Sequence, residues 1–148
     1  MAIHASRNTL TGLTFEQKAA LDRKDGVNIS KKKFCSFFKT TFNIDPLDYL
    51  AWKFEPDEAY YFPERKELII YEKKTQHCSG SADMKLPACG WWYQEYQKLC
   101  NAVGIFHLSY IFILDEWFKN TRYKSILEFI KATPGCDYFF WGDETIAN

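Results

Sequence analysis

Apolar and polar positions alternate at two different periods along this chain, and each period predicts a different element. In "TFEQKAALDRKDG" the spacing fits a short helix. Thr14 and Gln17 stand at capping-box distance before it, and Gly26 stops it. In "SKKKFCSFFKTTFN", Phe34, Phe37, Phe38 and Phe42 recur at three- and four-residue steps, which predicts a second helix with one apolar face and Ser30 as its N-cap. "IDPLDYLAWKF" opens on Asp45-Pro46, a helix start, with a strand from Tyr49 to Phe54 as the alternative. "EAYYF" and "ELIIYEKKTQ" then flank the polar turn "PERK", the pattern of a β-hairpin. "HCSGSAD" reads as a loop, and "LPACGWWYQEYQKLCNAVG" as a helix that Gly104 ends. "IFHLSYIFILDEWF" is apolar enough for a central strand. "TRYKSILEFIKATPG" places Tyr123, Ile126, Leu127 and Ile130 on one helical face, and "CDYFFWG" is a last short strand. The order predicts an α/β fold, a mixed β-sheet flanked by α-helices, in one domain over residues 1–148 with a helical N-terminal segment over about 1–29.

Composition changes this picture little. The chain is 47% hydrophobic, so 148 residues can bury a core. No run of 18 apolar residues occurs and the N-terminus lacks an apolar signal core, so neither a membrane span nor secretion is expected. Cys35, Cys78, Cys89, Cys100 and Cys136 are odd in number and widely spaced. They read as reduced thiols of a cytoplasmic protein rather than a disulfide or zinc framework. Net charge is zero but uneven: residues 1–40 hold eight Lys/Arg against three Asp/Glu, and the remainder eleven against sixteen. The basic excess suits either a solvated helix surface or phosphate contacts, for which Arg23, Lys24, Lys31, Lys32 and Lys33 are the candidates. Tyr60, Tyr71, Trp91, Trp92, Tyr93 and Tyr96 are read as core residues rather than a base-stacking platform.

The hairpin raises the chemical question. Side chains alternate along a strand, so Glu72, Lys74 and Gln76 share one face and Lys73 faces the other way. If Pro63 to Lys66 form the loop, Phe62 faces Glu67, and the same register carried outward sets Asp57 opposite Glu72. Opposed residues share a face with Cβ atoms about 4.5–5.5 Å apart. Two carboxylates that close repel unless a cation joins them, and Mg²⁺ takes such oxygens. The competing reading is a solvated charged hairpin. A one-residue slip would instead oppose Glu58 and Glu72 and draw Pro63 into the ladder.

Pro56-Asp57, followed by Glu72-x-Lys74 and Gln76, resembles the signature of the PD-(D/E)XK nuclease superfamily. "SGSADMKL" resembles a segment of its restriction-type members, with Met84 where that segment carries a Glu, and "LDEWF" resembles the exit of their last core strand. The resemblance covers residues from about 30 to 118 and implies a restriction-endonuclease-like core of order α-β-β-β-α-β. It implies a metal-dependent endonuclease that hydrolyses DNA phosphodiester bonds to a 5′-phosphate and a 3′-hydroxyl, with Mg²⁺ as cofactor and Mn²⁺ as a substitute. Asp57, Glu72 and the Lys73 carbonyl would be metal ligands. Lys74 would act on the attacking water or the developing charge, and Gln76 would help position Lys74 or the phosphate, with an ordinary polar strand residue as the alternative. Asp83 and Lys85 would flank the cleft, with an N-cap role for Asp83 as the alternative. Double-stranded DNA is the expected partner. A single site cuts one strand at a time, so a homodimer is one way to cut two. A repair or recombination nuclease and a non-catalytic binding module on the same scaffold remain open.

Overall fold

A computed structural model describes residues 14–75, 80 and 82–141. The elements run α1 (Phe15–Asp25), β1 (Val27–Asn28), α2 (Lys33–Phe42), β2 (Glu58–Phe62), β3 (Glu67–Lys74), α3 (Ala82–Lys85), α4 (Cys89–Val103), β4 (His107–Leu114), α5 (Lys124–Ala132) and β5 (Cys136–Phe140). The five strands form one mixed sheet in chain order, β1-β2-β3-β4-β5. The first three are antiparallel neighbours, and β3, β4 and β5 run parallel. Parallel neighbours need a crossover, which α4 provides between β3 and β4 and α5 between β4 and β5. The α/β class and the mixed sheet are thus as the chain pattern predicts.

Local signals explain most boundaries. Thr14 and Gln17 form the reciprocal capping box at the start of α1. Asp45 accepts from the Leu47 amide to start a 3₁₀ turn over Pro46–Asp48. Gly104 adopts φ 75 at the end of α4, the left-handed cap that glycine favours. The alternative strand over Tyr49–Phe54 does not form. Ser30 is not the N-cap of α2, because that position falls to Lys32, which makes no side-chain capping bond. The Ser30 hydroxyl instead accepts from the Ala59 amide at 3.0 Å, extending the sheet edge. The N-terminal segment is likewise not purely helical, because Val27 and Asn28 pair with Tyr61 and Tyr60. Two residues are too few to show a periodicity, so that edge strand left no signal in the pattern.

Alternation along β2 and β3 sends side chains into two separate cores. Tyr60, Phe62, Ile69 and Tyr71 meet Ala19 of α1 on one face, with Ile111, Ile113 and Phe139. Ala59, Tyr61, Leu68 and Ile70 face the larger core with Phe34 and Phe38 of α2 and Tyr96 and Leu99 of α4. The phenylalanine face expected for α2 is there: Phe34 and Phe38 are fully buried and Phe37 and Phe42 partly so. The sheet is therefore a middle layer, and its two faces end in different environments at the β3 terminus. Cys35, Cys89, Cys100 and Cys136 are free and buried, and Cys78 lies outside the described residues. No helix among the described residues is long and apolar enough to cross a membrane.

Candidate active site

The hairpin register is the predicted one. Phe62 pairs with Glu67, and the ladder continues in step to Glu58 opposite Tyr71. Asp57 stands one residue beyond the ladder, on the side of the sheet that Ala59 and Tyr61 also face. It remains tied to β3, because the Lys73 amide donates to Asp57 Oδ2 at 2.8 Å. Glu72 and Lys74 share that face, their charged atoms 3.8 Å apart and their side chains only 13% and 19% exposed. They line a cleft of about 150 Å³ whose floor is Tyr96, Tyr110 and Phe112. A carboxylate this buried has lost much of its hydration. Burial, and then the negative charge of Asp57, push the Glu72 carboxyl up to about 7, against a smaller opposing pull from Lys74.

Asp57 is held the other way. Burial raises its carboxyl, but the hydrogen bonds from Lys31 and the Lys73 amide outweigh it, and the net shift is downward. The ammonium of Lys31 sits 2.8 Å from Asp57 Oδ1. The chain delivers it there by prolonging the sheet edge. Ile29 N–H donates to the Ala59 carbonyl and Lys31 N–H to the Pro56 carbonyl, after which Lys31 turns at φ 55 into α2. This positive φ is uncommon for a residue other than glycine, and here it marks the turn from edge strand to helix. The sequence offers Lys31 only as a candidate phosphate contact, and no local pattern encodes its place beside Asp57.

The opposite face holds a second cluster. Lys73 Nζ lies 3.6 Å from Glu58 Oε2. Arg23 grips the same carboxylate through two hydrogen bonds of 2.7 and 2.9 Å, and the Tyr60 hydroxyl donates to it at 2.6 Å. The parity of Lys73 and Lys74 is therefore realised: one lysine enters the cleft and its neighbour joins the α1 side. Of the candidate phosphate contacts, Arg23 has its guanidinium engaged by Glu58, whereas Lys24, Lys32 and Lys33 are exposed. Asp83 lies within α3 rather than at its N-cap, and its Oδ1 accepts from the Tyr123 hydroxyl at 2.6 Å. Lys85 lines the cleft. Gln76 lies outside the described residues.

The aromatic residues divide. Tyr60, Tyr71 and Tyr96 are buried as expected of core residues, but Trp91 is 39% exposed. Beside it stands Trp52, 52% exposed, which sequence reading overlooked because it lies in an irregular segment without periodicity. Glu95, itself buried on α4, accepts from the Ala51 amide at 2.8 Å and so fixes this segment at the cleft rim.

Among the described residues no group of three or more His, Cys, Asp or Glu side chains is arranged to hold a metal. Mg²⁺ does not need one, since it keeps several waters and binds through one or two carboxylates plus substrate phosphates. Asp57 and Glu72, both half-buried, with the charge of Asp57 raising the Glu72 carboxyl, fit that requirement. No family model matches the chain, and no curated protein or solved structure matches it either.

Proposed function

We propose that the chain is a metal-dependent endonuclease that hydrolyses DNA phosphodiester bonds, of the restriction-endonuclease-like kind. The observation that carries this reading is the convergence of Asp57, Glu72 and Lys74 on one face at the end of one strand pair, with Glu72 and Lys74 in a cleft. Within residues 30–118 the elements run α2-β2-β3-α3-α4-β4, one strand short of the α-β-β-β-α-β core that the motif resemblance implies; the third strand of the antiparallel set is β1, which lies before that span.

A divalent cation held by Asp57 and Glu72 would supply Lewis-acid polarisation of a phosphate oxygen and a bound water of lowered pKa. The chain's own residues do the rest. Lys74 places an ammonium at the cleft wall, where it can stabilise charge developing on the phosphorus oxygens. The aromatic floor excludes water from one side and so strengthens each charge interaction there. Lys31 neutralises Asp57 and must let go of Oδ1 for that oxygen to serve a cation. The exposed Lys24, Lys32 and Lys33 are available to the DNA backbone and carry no sequence information.

One observation favours a second reading, a non-catalytic DNA-binding scaffold: Asp57 is already matched by Lys31 and by the Lys73 amide without any metal. Plasmid DNA separates the two. Incubation with Mg²⁺ should give nicked or cut DNA, and EDTA should abolish it. Intact plasmid after prolonged incubation with Mg²⁺ or Mn²⁺, together with a retarded band in a gel, would leave only the binding scaffold. Discrete fragments would indicate a restriction-type cutter, and nicks alone a repair or recombination role.

A further inference from the structure

The cleft has an aromatic rim that the hydrolytic residues do not use. Trp52 stacks on Trp91 with ring centroids 5.2 Å apart and planes 30° from parallel. Trp92 meets both edge-on, at 5.8 and 5.1 Å. Trp52 and Trp91 are exposed while Trp92 packs against the core, and two adjacent exposed indoles leave a large apolar area in water unless something covers them. Trp52 and Trp92 line the same cleft as Glu72 and Lys74. Lys53 and Lys85 line it too, Lys53 lying 3.6 Å from Glu55, so cations and indoles share one cleft. Aromatic faces next to cations along a groove are what single-stranded nucleic acid binds, by base stacking and phosphate attraction. The cleft volume, about 150 Å³, is that of a cavity which takes one six-membered aromatic ring. Glu95 holds the Ala51 amide, so the shelf is set in place before any ligand arrives.

The geometry points to Trp52, backed by Trp91, as a shelf that receives an unpaired nucleobase beside the scissile phosphate. The substrate class is then nucleic acid with an unpaired nucleotide at the cleft, either in a single strand or extruded from a duplex. This rests on the nuclease reading of the same cleft, and it narrows the expectation of uniform double-stranded DNA.

The test is equilibrium binding of the full chain, in EDTA so that nothing is cleaved. The probes are a short fluorescent oligothymidylate, the same strand with abasic sites, a perfect duplex, and a duplex with a one-base bulge. The single strand or the bulged duplex should bind more tightly than the perfect duplex, and the abasic strand more weakly than the intact one. Trp52→Ala should weaken binding roughly 5- to 150-fold, the range expected for loss of one stacked base, whereas Trp52→Phe should keep most of it. Equal affinity for the abasic and intact strands, or tighter binding of perfect duplex, overturns the shelf. Should Trp52→Ala fail to fold by circular dichroism, the abasic comparison in the unaltered protein decides alone. Cleavage in Mg²⁺ without any base preference would remove the shelf and leave the nuclease. Base preference without cleavage would keep a base-binding shelf and remove the nuclease.

Discussion

Glu72→Gln offers the sharpest test of the electrostatics of the cleft. The carboxyl is raised from an ordinary 4.5 to about 7 by burial first and by Asp57 second. At about 1.36 kcal/mol for each tenfold change, the ionised form costs the folded protein about 3 kcal/mol. The sign follows from proton linkage. A raised acid binds its proton more tightly in the folded chain than in the unfolded one, so its contribution is full below pH 4.5. It is lost as pH rises through about 7 and stays lost above. Glutamine is close in shape and never ionises, so the variant escapes that penalty. The figure is already net of the opposing pull of Lys74, 3.8 Å away. Urea unfolding of both proteins in EDTA, from pH 5 to pH 8.5, reads the difference directly. The variant should gain on the parent by about 2–3 kcal/mol across that range, with the change centred between the two pKa values. Added Mg²⁺ should stabilise the parent at high pH and shrink the gap, because an ion that binds only the folded state relieves the same repulsion. A stability difference that does not vary with pH would refute the claim that burial and Asp57 raise the Glu72 carboxyl.

Three further outcomes follow from particular contacts. Lys74→Ala should remove most single-turnover cleavage of DNA while leaving binding and folding nearly intact, whereas Lys73→Ala, whose side chain lies on the Glu58 side, should retain substantial activity; equal loss in the two would break the parity argument. Lys31→Ala frees Asp57 Oδ1 from its ammonium, so calorimetric titration should show tighter Mg²⁺ binding than in the parent, and weaker binding would mean that Lys31 assists rather than competes. Gly135 has φ 82 and lies so close to the Tyr93 ring that a Cβ there would overlap it; Gly135→Ala should therefore lower stability by about 2 kcal/mol or more in thermal unfolding, and an unchanged melting temperature would show that Tyr93 moves aside freely.

What the sequence by itself determined is what local rules govern. The capping box at Thr14, the left-handed stop at Gly104 and the phenylalanine face of α2 each depend on residues within a turn or two of one another. The hairpin reaches further, because its four-residue turn fixes the register and the register fixes which side chains share a face. Asp57, Glu72 and Lys74 could be brought together, and Lys73 set apart, on that basis alone. Tertiary structure decided what lies across the chain from these residues. Ser30 is drawn from a helix cap to the sheet edge because two residues of β1 pair with β2. The same edge carries Lys31 to Asp57, 26 positions away in sequence. Arg23 turns from an available cation into the partner of Glu58, and Trp52 reaches the cleft because Glu95 holds its neighbour's amide 44 positions away. No periodicity encodes such pairings. They arise only when elements that are distant in the chain pack against the same sheet, where each buried charge or amide must find a partner once water is excluded.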